Sequence, residues 1–481
     1  MRSLKLIIIC CFYLVFAKSQ EVVSVSLKGS RTKQQITSLF SLPLIKYGAK
    51  YYQVLYTSTD AKGAKDTLSG LLVVPDNLNN KYPKLIYQHG TSDCKKCVPS
   101  NYGTSGGEEG QLGLLFAGLG YVSLLPDYVG MGTGRGFQTY VHDATTISAT
   151  SDMLDAVSSW IGQNNILTND QLFITGYSQG GYAAMSFHRY METTKGATSV
   201  TAAAHLSGPY SLSGAMRDLI LSENEYSYPA YIPNTVLGFN EAYGIYNNLS
   251  EIFKQEYIAD MTKYYQGSIG LVDLNIRLAQ LLKANTGAIV GGRMLKDDFL
   301  NEIRSNPDHI INKILKENDV YDWKPEAPTR IFYCKADDQV PYINSIIAYD
   351  TMIVNGASKL EIMDVNSTAN HGTCFTPAMT NTLLFFLGFQ SITIDVEDEL
   401  TELAPWAIVS NPVDDVLQIV SKQNNYSISI HDISGRNLMM RQISETIGDI
   451  DVSHLNTGMY FVTFTSQDGK AHATKKMIVA R

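Results

Sequence analysis

The stretch Leu172-Phe173-Ile174-Thr175-Gly176-Tyr177-Ser178-Gln179-Gly180-Gly181 constrains the fold more than any other part of the chain. A short apolar run ends in Gly-x-Ser-x-Gly, and a helix-forming segment, Gly180–Glu192, opens immediately after it. As a bare pattern the motif is loose, because serine and glycine are common. Between a strand and a helix it acquires a physical reason. The serine sits on a strained strand-to-helix turn, and small residues two before and two after it relieve the crowding. This context predicts that Ser178 is a nucleophile.

The surrounding pattern agrees with such a turn. Short β-type runs recur at Lys84–Gln88, Tyr121–Leu125, Leu172–Thr175, Val200–Leu206, Arg330–Tyr333 and Leu360–Asp364. Helix-like segments lie between several of them, notably Ser148–Trp160, Gly180–Glu192 and Ser345–Val354. Short apolar strands alternating with helices predict an α/β fold with a mostly parallel sheet. Residues 209–325 break the alternation with helical spacing and many tyrosines, which predicts a helical cap inserted before the strand at Arg330. Within it, Leu249, Ile252, Phe253, Tyr257, Met261, Tyr264 and Tyr265 fall at helical spacing. Asn248 and Glu251 form a capping box for that helix. The aromatic stripe suits core packing between cap helices as well as it suits substrate contact. Beyond an acidic linker at 393–404 the pattern turns all-β, with strands at Val416–Val420, Ser427–His431 and Met459–Phe464. Residues 405–481 therefore read as a small β-sandwich, and residues 20–392 as the α/β domain.

The first residues bear on where the protein works. Arg2 and Lys5 precede an uncharged run from Leu6 to Ala17, too short to span a bilayer. With Ala17 and Ser19 as small residues, 1–19 reads as a cleaved signal peptide. The formal charge of −8 argues against nucleic acid as a partner, since that affinity rests on Lys and Arg neutralising phosphates. Export leaves Cys94, Cys97, Cys334 and Cys374 in an oxidising setting, where four cysteines allow three pairings. Cys94-Lys-Lys-Cys97 is half of a zinc-type spacing, but a second close pair is missing.

A serine hydroxyl needs a base, and the base needs a carboxylate to orient it. For a serine on this kind of turn the chain order is serine, acid, base. His188 and His205 come before any acid candidate, His309 falls in the cap, and His431, His454 and His472 belong to the β-sandwich. His371 alone lies in a loop after a late strand, and it is the predicted base. The strand at Arg330 leads into Ala336-Asp337-Asp338-Gln339-Val340-Pro341, where the spacing favours Asp337 as the acid, with Asp338 as the fallback. Asp364 ends the next strand and would serve only under a shifted topology. For an oxyanion, backbone N–H donors are expected from Gln179, after the serine, and from Thr91, in the loop after an earlier strand. His89 reads as structural.

Taken together, Gly176–Gly181, His89-Gly90, the Pro126-Asp127-Tyr128-Val129-Gly130-Met131-Gly132 run, Ala336–Pro341 and Asn370-His371-Gly372-Thr373-Cys374 resemble an α/β-hydrolase of the secreted lipase/esterase kind, over roughly residues 35–390. The resemblance implies an acyl-enzyme on Ser178, with His371 shuttling the proton, Asp337 orienting His371, and the cap shaping the acyl pocket. No metal or organic cofactor is needed. With acid and base hydrogen-bonded, it also implies a Cys334–Cys374 disulfide, with Cys94–Cys97 as a looser candidate. Asn411-Pro412-Val413, His431–Arg436, Asp451–Leu455, Gly458–Phe461 and Lys475–Arg481 resemble a type IX secretion sorting domain. That implies a protein secreted or held at the cell surface, with the secretion machinery as a partner alongside a small-molecule or lipid ester. Two rival readings are a serine peptidase of the same fold and a non-catalytic surface adhesin.

Overall fold

A computed structural model describes residues 21–394, 406–467 and 472–480, apart from 105, 410 and 422–423. The expected signal peptide at 1–19 and most of the acidic linker lie outside the described residues.

The main sheet comprises ten strands: β1 (Val22–Arg31), β2 (Ala49–Thr59), β3 (Lys65–Pro75), β4 (Asn80–Gln88), β5 (Val122–Pro126), β6 (Thr168–Tyr177), β7 (Ala202–Leu206), β8 (Thr329–Tyr333), β9 (Leu360–Asp364) and β10 (Thr393–Ile394). They run in the order β1-β2-β3-β5-β4-β6-β7-β8-β9, with β10 added antiparallel to the start of β4. Thr393 and Ile394, expected in the linker, thus hydrogen-bond into the sheet beside Lys81 and Asn80. From β5 through β9 all neighbours are parallel, whereas β1, β2 and β3 form an antiparallel extension.

Helices cover both faces, which is why the central strands read as apolar runs without alternation. Within β6 the faces still separate with period two. Phe173 packs with α2 (Gln111–Leu119) and α12 (His371–Leu387), after α1 (Lys33–Phe40) has crossed the same side. Ile174 packs with α3 (Asp143–Gln163) and α4 (Gln179–Tyr190) on the other side. Parallel register aligns Gln88 with Gly176, Tyr177 with Leu206, and Leu206 with Phe332. The carboxyl ends of β4, β6, β7 and β8 therefore share one edge, where the loops of such a sheet form a crevice.

Between β7 and β8 the chain forms α5 (Arg217–Leu221), α6 (Tyr231–Tyr243), α7 (Gln255–Tyr265), α8 (Leu271–Thr286), α9 (Asp297–Ser305) and α10 (Ile310–Glu317). These enclose their own apolar core, in which Tyr257, Met261 and Tyr264 are buried while Tyr265 stays exposed. Most of the aromatic stripe is thus core packing. The Asn248–Glu251 capping box is present, but it caps a single 3-10 turn at Leu249–Glu251. The helix itself starts later, at Gln255, because Phe253 bridges to Leu295 in extended conformation. α11 (Ile343–Val354) covers the β8–β9 edge.

The C-terminal part is all-β. Strands β11 (Trp406–Ile408), β12 (Val416–Ser421) and β15 (Ile447–Asp451) form one sheet, and β13 (Tyr426–His431), β14 (Asn437–Ile443), β16 (Gly458–Ser466) and β17 (His472–Val479) form a second. Their inward residues build a shared core around Trp406, stacked on Phe464 at 5.7 Å. No helix among the described residues is long and apolar enough to cross a membrane.

Candidate active site

The turn after β6 is built as its sequence demands. Ser178 has φ 60° and ψ −122°, a conformation that L-residues rarely adopt and that is stored at sites the surrounding structure over-determines. Its N–H is tied to the Leu206 carbonyl at 2.9 Å, and its own carbonyl accepts the Tyr182 N–H. The flanking glycines are steric necessities. A Cβ on Gly176 would lie 2.3 Å from the Gly180 carbonyl oxygen, and one on Gly180 only 2.0 Å from the Gln88 oxygen at the end of β4. Gly181 is equally constrained, 2.4 Å from the Leu206 oxygen. Backbone on backbone leaves nothing flexible to yield. Gly180→Ala is therefore expected to cost about 3 kcal/mol or more, at or above the upper end of ordinary overpacking. A thermal unfolding midpoint unchanged from wild type would contradict this.

His371 opens α12, one residue after Asn370, whose side chain caps the helix through the Thr373 N–H. Its Nε2 lies 2.8 Å from Ser178 Oγ and its Nδ1 2.7 Å from Asp337 Oδ2. The second oxygen of Asp337 accepts the N–H groups of Gln339 and Val340, which fixes the carboxylate in place. With its proton on Nδ1, donated to the carboxylate, the neutral ring leaves Nε2 free to accept the serine proton. Ser178 and His371 are each 6% exposed. Water has little access to compete for these bonds.

The two adjacent aspartates divide the work. Asp338 accepts the backbone N–H of His371, at 3.1 Å, and so holds the start of α12 rather than the ring. Asp364, at the end of the edge strand β9, makes no hydrogen bond to His371. Cys334 and Cys374 are joined, with Cα atoms 5.9 Å apart, and link the end of β8 to the first turn of α12. Closing that 40-residue separation stabilises the fold by roughly 4 kcal/mol on a chain-entropy account. Cys94 and Cys97 form a second disulfide, which occupies both thiols of the zinc-type pair.

At the start of α4 the Gln179 N–H has no acceptor within the helix, as for any first-turn amide. Thr91 follows the end of β4, and its hydroxyl lies 3.1 Å from the Tyr140 hydroxyl. Its backbone N–H has no hydrogen-bond partner among the described residues. His89 is buried, stacked on Tyr128 at 4.2 Å, with its ring nitrogens against the carbonyls of Gly90 and Asp127. The remaining buried histidines serve elsewhere. His188 and His205 bond to each other, and His188 to Glu192. Burial pushes His142 down to about 4, which keeps it neutral where it bonds Thr145 and Tyr243.

The cap closes over this edge through the acid loop. Tyr226 donates to the Gln339 carbonyl, Ser227 to the Asp338 carbonyl, and Tyr231 to the Gln339 side chain. Beneath these contacts lies an apolar cavity of about 50 Å³, lined by Tyr140, Leu212, Met216, Tyr231 and Val340 among others. A second, of about 60 Å³, shares Ile220, Ile232, Thr235 and Leu315 with it and continues into the cap. Beginning at Ser92 and Asp93, just after Thr91 in the chain, a wider cleft of about 690 Å³ runs past Phe137, Glu241 and Tyr265.

Comparison with known proteins supplies the fold's identity. Residues 113–206 match the prolyl oligopeptidase family, and 408–480 match the secretion system C-terminal sorting domain. A protein described as a hydrolase from Legionella pneumophila superposes with a TM-score of 0.68 at 22% identity, covering 77% of this chain and 98% of its own. The chain has the α/β-hydrolase fold. The rice cell wall degrading esterase LipA from Xanthomonas oryzae shares that fold at 21% identity and a TM-score of 0.65, over 76% of this chain and 96% of the esterase. Candida antarctica lipase A does so at 16% identity and 0.55, over 78% and 83%. No curated protein sequence matches the chain. The sorting tail makes this α/β-hydrolase-fold protein an exported one, secreted or held at the cell surface.

Sequence reasoning named Ser178, Asp337 and His371, and they meet in one hydrogen-bonded chain. It passed over Glu109. That side chain contacts the Thr91 loop across 19 residues and falls in no motif.

Proposed function

We propose that this protein is an exported serine carboxylic-ester hydrolase, acting on esters of short-to-medium acyl chains or on lipids. The observation that carries the reading is the unbroken chain Ser178 Oγ–His371 Nε2 and His371 Nδ1–Asp337 Oδ2, anchored on a serine at positive φ. In this reading Ser178 attacks the ester carbonyl while His371 takes its proton. The C–O bond to the alcohol breaks and His371 returns the proton to the departing oxygen. Water, activated by the same imidazole, then releases the acid and restores Ser178. The Gln179 and Thr91 N–H groups receive the tetrahedral oxyanion. The apolar cavity under the cap takes the acyl chain, and the wider cleft past Ser92 leaves room for the alcohol.

The match to the prolyl oligopeptidase family favours one alternative, an aminoacyl peptidase using the same residues. That match ends at residue 206, before the cap, the acid and the base, so it covers the nucleophile turn but, of the cavity lining, only Tyr140 and Val141. The apolar lining of the cavity beside Val340 fits an acyl chain better than a charged amine. The deciding experiment is a panel of p-nitrophenyl esters from acetate to palmitate, run beside aminoacyl p-nitroanilides. Ester kcat/KM is expected to exceed amide kcat/KM by at least about 10³, with the preference peaking at short or medium chains. Faster cleavage of the anilides would replace the esterase reading with the peptidase one.

A further inference from the structure

We propose that Glu109 is a positioning residue of the oxyanion site, acting through Gly90 to aim the Thr91 N–H. This rests on the esterase reading above and adds to it a residue outside every motif.

Two consecutive peptide groups lead to Thr91, and each polar atom in them has a partner except one. In the His89–Gly90 peptide, the carbonyl accepts the Tyr128 hydroxyl at 2.9 Å. Its N–H points between both oxygens of the Glu109 carboxylate, at 3.0 and 3.1 Å. In the Gly90–Thr91 peptide, the carbonyl lies 2.7 Å from His89 Nδ1. A trans peptide is planar, so fixing that carbonyl fixes the Thr91 N–H in the opposite direction. The Thr91 N–H is the remaining donor. This half-buried donor lies in the loop that passes Tyr177, the residue before Ser178. A Cβ on Gly90 would stand 3.6 Å from the Tyr177 oxygen.

Glu109 is itself held for the task. It sits in a 3-10 turn at Glu108–Gly110 that opens α2, and the Tyr87 hydroxyl from β4 donates to its Oε1 at 3.1 Å. Tyr128 adopts φ 72° while it stacks on His89, a second strained residue spent on the same loop. Gly90 has no side chain to restrict its own torsions. The loop therefore depends on these external bonds, and among the described residues the Glu109 carboxylate is the acceptor of the Gly90 N–H. Among the described residues, Glu109 makes no hydrogen bond to Ser178, His371 or Asp337.

An N–H aimed at an oxyanion stabilises the tetrahedral state more than the bound ester, so losing its aim lowers kcat and leaves KM alone. Deleting one such donor outright costs about 10²–10³ in kcat. Glu109→Ala, which loosens the donor without deleting it, is expected to lower kcat on p-nitrophenyl acetate by about 10- to 100-fold, with KM within about twofold. Affinity for phenylboronic acid, which forms a tetrahedral adduct on the serine, should fall by a similar factor. Glu109→Gln keeps a carbonyl oxygen for the Gly90 N–H and should restore kcat to within about threefold of wild type. Should Glu109→Ala lose its fold by thermal unfolding, Tyr87→Phe provides the second test. It removes only the hydroxyl that orients the carboxylate, and should lower kcat severalfold at constant KM. A Glu109→Ala enzyme that folds and keeps kcat within twofold would overturn the proposal. So would a loss confined to KM, or a Tyr87→Phe enzyme with unchanged kcat when Glu109→Ala cannot be purified. The esterase reading is tested separately, by whether Ser178→Ala retains ester turnover.

Discussion

Ser178→Ala is expected to lower kcat on short p-nitrophenyl esters by about 10⁶, leaving KM within a few-fold. The size follows from how the site is wired. Without Oγ there is no acyl-enzyme, so His371 and Asp337 have nothing to activate, and losing the nucleophile costs about as much as losing the whole constellation. In the proposed mechanism, what survives is the oxyanion site acting on a water attack, about 10³–10⁴ over the uncatalysed rate. The methyl of alanine fits wherever the serine Cβ fits, so stability should hardly change. Initial rates on purified protein, corrected for contaminating esterases by a phosphonate titration of active sites, make the measurement. Residual turnover above about 1% of wild type would remove Ser178 from the mechanism and the esterase reading with it.

Asp337→Asn is the second large effect, about 10⁴ in kcat, and its value lies in comparison with its neighbour. The asparagine amide can present its N–H₂ to His371 Nδ1. The ring then carries its proton on Nε2, where it faces Ser178 as a donor and cannot accept the serine proton. Geometry survives while the tautomer is wrong. Asp338→Asn keeps an amide oxygen for the His371 backbone N–H, 3.1 Å away, and leaves the ring tautomer untouched. It should lower kcat by less than about tenfold. Equal losses in the two variants, measured as kcat across pH 5–9, would show that the acid role does not belong to Asp337 alone.

How much of this was legible beforehand differs residue by residue. Ser178 could be read because its requirements are local: a strand, two small flanking residues and a helix start, all within about ten positions. His371 emerged by elimination, since the other histidines fell in the wrong segment. The cap was visible as an interruption of the strand–helix alternation, although its helix at Gln255 begins later than the capping box implied. Phe253 pairs with Leu295, a contact 42 residues distant that no local pattern encodes.

By itself, the sequence determined the α/β alternation, the Gly-x-Ser-x-Gly turn, the all-β tail and the chain order of Ser178, Asp337 and His371. Each of these rests on periodicity or on steric demands within a few residues. The spacing in Ala336–Pro341 favoured Asp337, and the resemblance implied the Cys334–Cys374 pair. Only the tertiary structure puts Asp337 against the His371 ring and Asp338 against its backbone, joins the two cysteines, and brings Glu109 to Gly90. Adjacent carboxylates have the same composition and nearly the same neighbours. They differ in which way the loop after β8 turns them, and that is set by the Gln339 and Val340 amides, the cap tyrosines and the first turn of α12 acting together. Such contacts come from packing between segments far apart in the chain, and local spacing favours one aspartate without showing what either one touches.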